Sequence, residues 1–120
     1  MKPYSRSDRV GGLIRQVLAE LLLTEISDPR LSQTTITAVK VSRDLRMARI
    51  YFATAGKEGA AEEAMEGFNR ARGFVKRELA QRLGLRYMPD LKFFYDDAID
   101  RGARMEQLLK LVNKNERSDH

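Results

Sequence analysis

The chain has 120 residues, 42% hydrophobic and 32% charged, which is enough for one globular domain and too apolar for a disordered chain. Its 22 Lys and Arg against 17 Asp and Glu give a net charge of +5, which favours a polyanionic partner, most often nucleic acid. The absence of cysteine excludes disulfides, thiolate nucleophiles and Cys-based zinc sites, and the single histidine, His120, is the last residue, where nothing fixes its geometry.

The sequence carries no signal for a membrane protein or an enzyme. No apolar run reaches the roughly 18 residues of a membrane span, and residues 1–10 lack the apolar segment of a signal peptide. A P-loop, a G-x-S-x-G elbow and a paired His–carboxylate arrangement are also missing. We therefore expect a cytoplasmic protein without catalytic activity, cofactor, metal or small-molecule substrate.

The first predicted element is an amphipathic helix over residues 7–27. Ser7 is its predicted N-cap, Asp8 suits the first turn, and Pro29 ends the pattern. Apolar residues recur at steps of three and four and form one buried face; they are Val10, Leu13, Ile14, Val17, Leu18, Leu21, Leu22 and Ile26.

The apolar period then changes to two, which indicates a β-hairpin with strands over Thr34–Val41 and Met47–Thr54. Between them the pair Arg43-Asp44 favours a turn. One face of the first strand is expected to hold Thr37, Val39 and Val41, and one face of the second Ala48, Ile50 and Phe52.

A second helical stretch is predicted over residues 60–83, with Gly84 as its C-cap. Gly67 and Gly73 each weaken a helix by about 1 kcal/mol relative to Ala. We therefore expect a break or kink at Ala71-Arg72-Gly73, which would divide the stretch into two helices.

A third strand over residues 91–95 and a last helix complete the domain. The last helix is expected to begin near Asp97 or Asp100, and its apolar residues are Ile99, Met105, Leu108, Leu109 and Val112. The predicted fold is α+β, in the order α-β-β-α-α-β-α, with one three-stranded sheet packed on helices. Residues 1–112 would form this domain and residues 113–120 a short polar tail.

The positive charge is concentrated in one window of the chain. Residues 68–87 contain six Lys or Arg and one acid, which equals the whole net charge of +5. Gly73 lies among these bases and would let a phosphate approach the backbone, and a helix starting after the break would offer free N–H groups. The alternative is that Arg and Lys merely form a solvated helix surface. The basic residues are Arg70, Arg72, Lys76, Arg77, Arg82 and Arg86.

The predicted order, with a glycine between its second and third helices, resembles the type II KH domain, whose G-x-x-G loop clamps nucleic acid. Here Ala71-Arg72-Gly73 stands in place of G-x-x-G. The sequence resembles the ribosome-binding factor A family in this A-x-G kink and in other segments spread over residues 9–112. The other segments are Arg9-Val10, Ile26-Ser27-Asp28-Pro29-Arg30-Leu31, Val41-Ser42-Arg43-Asp44-Leu45 with Ala48, and Leu85-Arg86-Tyr87-Met88-Pro89-Asp90-Leu91-Lys92-Phe93 with Asp96.

The resemblance implies a non-catalytic factor that binds immature small (30S) ribosomal subunits and supports late 16S rRNA maturation, including 5′-end processing, above all in the cold. It also implies release with the help of a ribosome-associated GTPase, and we expect a monomer. Ala71 and Gly73 would form the structural kink. The residues expected against rRNA are Arg70, Arg72, Gly73, Lys76 and Arg77, with Arg6, Arg9 and Arg15 as weaker candidates.

Several alternatives stay open from the residues alone. Asp96, Asp97 and Asp100 could hold Mg²⁺, although helix capping is the favoured interpretation. Asp28-Pro29-Arg30 is interpreted mainly as a helix stop. Phe52 and Phe93 are predicted in the core, whereas Tyr51 and Phe94 are left unassigned. The rival functions are a general RNA chaperone and a protein-interaction module with an incidental basic face.

Overall fold

The computed structural model describes residues 5–56 and 58–118, without the side chains of 99, 100, 103 and 113–118. His120 and the predicted roles of the Ile99 and Asp100 side chains therefore lie outside the described residues. The elements are α1 (Arg6–Thr24), a short 3-10 turn (Pro29–Leu31), β1 (Thr34–Val41), β2 (Met47–Thr54), α2 (Ala60–Leu83), β3 (Asp90–Tyr95) and α3 (Ala98–Ser118).

The three strands form one mixed sheet in the order β1-β2-β3. β1 and β2 pair antiparallel as the predicted hairpin, and β2 and β3 pair parallel because α2 carries the chain back to the same end of the sheet. The register of β1 shifts between Ile36 and Ala38, so that Ile36 enters the core. Thr37, at this irregularity, donates a hydrogen bond from Oγ1 to Asp96 Oδ2 at 2.8 Å.

The core lies between one face of the sheet and helices α1 and α2. Phe52 and Phe93 are buried, as predicted, and both rings contact Phe68 of α2 at centroid distances of 4.8 Å. Gly11 lets α1 approach β1 closely, because a Cβ at this position would lie 3.0 Å from the Val39 carbonyl oxygen. No helix among the described residues covers the opposite face of the sheet, which leaves Phe94 exposed.

The predicted α+β class and three-stranded sheet are confirmed, but the predicted break in the second helix is wrong. α2 is one continuous helix of 24 residues, which gives the order α-β-β-α-β-α. Its buried residues Phe68, Val75 and Leu79 continue at helical spacing past Gly73. Packing of this face on the sheet therefore outweighs the low helix propensity of the two glycines.

The ends of two other helices also differ from the prediction. Ser5, and not Ser7, is the N-cap of α1, since its hydroxyl accepts from the Asp8 N–H at 3.1 Å while its own N–H donates to Asp8. α1 then ends at Thr24. α3 continues to Ser118, past the predicted boundary at residue 112. The apolar residues of α3 whose side chains are described do not join the core, and more than half of the surface is exposed for Met105, Leu108, Leu109, Leu111 and Val112.

Candidate nucleic-acid interface

The solvent face of α2 brings together the basic residues that the sequence singled out. Because Phe68, Val75 and Leu79 face the core, helical spacing places Gly73 in the middle of the opposite side. Arg72 and Lys76 lie four residues apart on one flank of that glycine. Arg70 and Arg77, seven residues apart, lie on the other flank. We call the surface formed by Arg70, Arg72, Gly73, Lys76 and Arg77 the α2 basic face.

Three of these four cations have a polar partner within the protein. Arg70 lies 3.4 Å from a Glu66 oxygen, and Arg72 donates to Asn69 Oδ1 at 2.6 Å. Lys76 Nζ donates to Asp90 Oδ1 at 2.7 Å, and this hydrogen bond lowers the pKa of Asp90 below its ordinary value. Surface pairs of this kind contribute only about 0–1 kcal/mol, so a phosphate can replace the carboxylate.

Arg77 is placed differently from its neighbours. Its Nη1 lies 3.6 Å from where a Cβ of Gly73 would stand, so the guanidinium crosses the helix surface over the glycine. Among the residues that the structure describes, no carboxylate within 4.0 Å pairs with it. Arg77 therefore offers a planar set of donors beside an exposed stretch of backbone, a geometry suited to a phosphate.

The two glycines of α2 have opposite roles. A Cβ on Gly67 would lie 3.1 Å from Leu31 Cδ2 and 3.3 Å from Asp28 Oδ2, so this glycine is required by packing. A Cβ on Gly73 would meet only the far end of Arg77 at an ordinary contact distance. No contact within the described structure therefore explains why position 73 lacks a side chain.

The arginines of α1 are not gathered onto the α2 basic face. Arg9 and Arg15 are exposed on α1. Arg6 instead lines a groove of about 680 Å³ beside the N-terminus of α1. Its walls come from three separate segments and contain Arg6, Val10, Asp44, Leu45, Arg46, Leu85, Arg86, Tyr87, Met88, Pro89 and Asp90.

The groove adjoins the α2 basic face through Asp90, the carboxylate that binds Lys76. Arg86 lies over the ring of Tyr87, 5.5 Å from its centroid, and 77% of the Tyr87 surface is exposed. Leu45 forms part of the wall with a left-handed backbone, φ = 61°, which is uncommon for a bulky residue. The groove thus combines basic and aromatic side chains next to the predicted interface.

A family model described as Ribosome-binding factor A matches residues 6–109 of the chain. The chain belongs to the ribosome-binding factor A family. Ribosome-binding factor A of Desulfatibacillum aliphaticivorans is 48% identical over 112 residues, which cover 93% of this chain and 91% of that protein.

Solved structures of the ribosome-binding factor A family share the fold. The crystal structure of ribosome-binding factor A from Thermus thermophilus matches with a TM-score of 0.65 and 28% identity, over 74% of this chain and 94% of that one. A homology model of the Thermus thermophilus factor, fitted into a cryo-EM map of its complex with the 30S subunit, matches with a TM-score of 0.60 and 30% identity. It covers 72% of this chain and 91% of that one.

Three of the segments that resemble the ribosome-binding factor A family contribute residues to the groove, whereas Ala71-Arg72-Gly73 lies on α2. The groove is lined by Val10 of the first segment, by Asp44 and Leu45 of the second, and by residues 85–90 of the third. Arg46, Arg86 and Tyr87 were not among the predicted site residues. The signal in the sequence was the family resemblance of separate segments, which the fold could bring together. Counting charges along the chain cannot detect residues that meet only in the folded protein.

Two other arginines, one in α2 and one in the 3-10 turn, are held by carboxylates and have structural roles. Arg82 lies within 4.0 Å of Glu20, Glu25 and Glu78 and so ties α2 to the end of α1. Arg30 binds both oxygens of Asp28, with the shortest distance 2.6 Å, and reaches Glu66 at 3.5 Å. These contacts support a structural role for Asp28-Pro29-Arg30, since Asp28 also caps the 3-10 turn, but the motif does not stop α1, which already ends at Thr24.

The aspartates after β3 act as capping and pairing groups. Asp96 Oδ1 accepts from the Ala98 N–H at 3.0 Å, and this bond, with that from Thr37, lowers the pKa of Asp96. Asp97 forms an ion pair with Arg101 at 3.0 Å. Within the described residues no group of three or more His, Cys, Asp or Glu could hold a metal ion, and no described helix is long and apolar enough to cross a membrane.

Proposed function

We propose that this protein binds the small ribosomal subunit and that the α2 basic face is its contact with 16S rRNA. The observation that carries the proposal is the exposed Gly73 at the centre of that face, whose missing side chain no contact in the described structure requires. Membership of the family, and the complex with the 30S subunit that a similar factor forms, support the same function.

The face would bind the RNA backbone rather than read base sequence. The guanidiniums of Arg72 and Arg77 can each offer two parallel donors to one phosphate. Lys76 would exchange Asp90 for a phosphate, an exchange that an exposed ion pair permits at small cost. Gly73 would let the sugar–phosphate chain approach the helix surface. Because α2 is continuous, no helix N-terminus contributes.

Binding itself would be the activity, without a catalytic step. A ligand shifts a conformational equilibrium only through its different affinities for the two states. The protein would therefore prefer the immature subunit and hold its rRNA during late maturation, including processing of the 5′ end. It would act as a cytoplasmic monomer, with greatest importance in the cold, and leave the mature subunit with the help of a ribosome-associated GTPase.

The test is co-sedimentation of the protein with purified immature and mature small subunits over a series of salt concentrations. We expect tighter binding to the immature subunit. If about five phosphates are contacted, log affinity should fall with log salt at a slope near −4. Equal affinity for both subunits would contradict the maturation role. Equal affinity for unrelated RNAs would favour a general RNA chaperone, and a nearly salt-independent affinity would favour a protein-interaction module.

A further inference from the structure

The uncovered face of the sheet carries a pair of stacked aromatic rings. Tyr51 of β2 and Phe94 of β3 are register partners, with ring centroids 5.5 Å apart and planes inclined by 26°. Phe94 is 37% exposed, and Tyr51 is half-buried. No helix among the described elements packs over them, because α1 and α2 lie on the other face and the apolar residues of α3 are themselves exposed.

Three cations lie in one row beside these rings. Lys40 of β1 is opposite Arg49 of β2, and Arg49 is opposite Lys92 of β3. All three are exposed, and none forms an ion pair with another residue that the structure describes. Like charges directly opposite one another destabilise a sheet. The row therefore lowers the stability of the free protein, as expected of a surface that an anion occupies.

The acids at the two ends of β3 do not neutralise this row. Asp90 binds Lys76 of α2 at 2.7 Å. Asp96 accepts from the Ala98 N–H and the Thr37 hydroxyl, and Lys40 is only a minor cause of its lowered pKa. The positive charge of the row thus stays available to an external anion.

We propose that Lys40, Arg49, Tyr51, Lys92 and Phe94, here called the sheet platform, bind a single-stranded RNA segment with bases on the two rings and phosphates against the three cations. The inference rests on the proposed rRNA-binding function and adds a second surface to it. Flat rings beside cations match a strand whose bases are unstacked, whereas a duplex hides its base faces.

Lys40 shows how a base and a phosphate would share the site. In the free protein its Nζ lies 5.6 Å from the centroid of the Tyr51 ring, a cation–π contact. A base that stacks on Tyr51 displaces this ammonium toward the phosphate of the same strand. Lys40 therefore exchanges one favourable partner for another when RNA binds.

The sheet platform and the α2 basic face meet at the edge of the sheet. β3 is one of the two edge strands of the sheet, and Asp90 at its start is held by Lys76 of the α2 basic face. Lys92 follows two residues later on β3. A single RNA strand can therefore pass from α2 across β3 onto the platform.

The test measures fluorescence anisotropy of a labelled 12-nucleotide oligouridine RNA with the full chain. Tyr51→Leu/Phe94→Leu removes the rings and keeps apolar side chains, and we expect affinity to fall about five-fold or more. Lys40→Gln/Arg49→Gln/Lys92→Gln should lower the steepness of the salt dependence by about 2, since each phosphate contact with single strands contributes about 0.7.

Matched controls separate the platform from general effects of charge and folding. Arg43→Gln/Arg104→Gln/Lys110→Gln removes the same three charges from other exposed positions and should keep the wild-type salt dependence. Polyphosphate, which has no bases, should bind the ring variant and the wild type equally. Tyr51→Phe keeps the ring and should keep the affinity, and circular dichroism verifies the fold of each variant.

Each outcome bears on the platform separately from the proposed function. The platform proposal is overturned if the ring variant keeps the wild-type RNA affinity. It is also overturned if the charge variant has the same salt dependence as its control. If Arg72→Glu/Arg77→Glu alone loses RNA, the α2 proposal stands and the platform is wrong. If the platform variants bind RNA normally but fail to bind the small subunit, the face contacts a ribosomal protein and the RNA assignment is overturned.

Discussion

At the scale of single residues, the two glycines of α2 distinguish a position that packing requires to be glycine from one that no contact in the described structure explains. Both lower helix propensity equally, and the sequence offers no means of separating them. The structure does so, because a Cβ on Gly67 would press on Leu31 and Asp28, whereas a Cβ on Gly73 would meet only the far end of the Arg77 side chain at an ordinary contact distance. This difference makes Gly73 the most informative residue of the predicted interface.

We expect Gly73→Ala to raise the free energy of unfolding by about 0.5–1 kcal/mol, because Ala is the better helix former and its methyl group fits. The same variant should bind the small subunit more weakly, since the methyl group stands where the RNA backbone approaches. Urea unfolding and co-sedimentation measure the two effects.

Gly67→Ala is the control, since it has the same intrinsic gain but forces a Cβ against Leu31. We expect it to show no stabilisation or a loss. Stabilisation by both variants alike, or undiminished subunit binding by Gly73→Ala, would contradict the role given to Gly73.

The ionisation of Asp28 predicts how stability depends on pH. The Arg30 side chain, followed by the Arg30 backbone N–H, holds the pKa of Asp28 below its ordinary value of 3.8. A carboxylate whose pKa is lower in the folded than in the unfolded protein stabilises the fold at pH values above 3.8. This stabilisation is lost as the pH falls through the pKa of the folded protein.

Arg30→Gln should raise the pKa of Asp28 toward its ordinary value while the backbone N–H continues to donate. An NMR titration of the Asp28 side-chain carbon measures this change directly. Asp44, whose pKa is lowered chiefly by the Ser42 hydroxyl, is the internal reference and should not move. An unchanged Asp28 pKa would show that the guanidinium does not act as described.

At the scale of elements, alternation and periodicity predicted the strands better than local propensity predicted helix breaks. β1 and β2 have the bounds that the β-branched run of the first and the apolar alternation of the second predicted. The predicted break at Gly73 was wrong because helix propensity is a local property, whereas the apolar stripe of α2 packs on the sheet along the length of the helix. The N-cap was displaced because the Ser5 to Asp8 spacing, rather than Ser7 alone, forms the capping box.

α3 differs from the other helices because its large apolar side chains from Met105 to Val112 are exposed. Leu108→Gln/Leu109→Gln should therefore change the free energy of unfolding by no more than about 0.5 kcal/mol per site. Leu79→Ala, at a buried position of α2, should lower the free energy of unfolding by about 2–5 kcal/mol. Urea unfolding of both variants compares them, and a large loss in the α3 variant would mean that α3 packs against the core in solution.

At the scale of the whole molecule, the net charge of +5 is not spread evenly over the surface. The sequence located the α2 basic face because its residues are close along the chain. It could not locate the groove, whose arginines come from α1, a β-turn and the segment before β3. Nor could it place Arg82, which lies in the basic window but is bound by three glutamates.

The α2 basic face is the surface that we propose for binding of the small subunit. The most direct measurement is co-sedimentation of wild type and Arg72→Glu/Arg77→Glu with purified immature small subunits. Arg104→Glu/Lys110→Glu is the matched control, with the same change in net charge at exposed positions of another helix. Arg72→Gln/Arg77→Gln tests the same face with less repulsion, and circular dichroism establishes that each variant folds.

We predict that wild type and the control co-migrate with the immature subunit and that the glutamine variant binds more weakly. The folded Arg72→Glu/Arg77→Glu protein should remain in the unbound fraction. Co-migration of the glutamate variant at wild-type levels would contradict the role of the α2 basic face, because the subunit would then bind another surface. Failure of the wild type itself to co-migrate would contradict the proposed function.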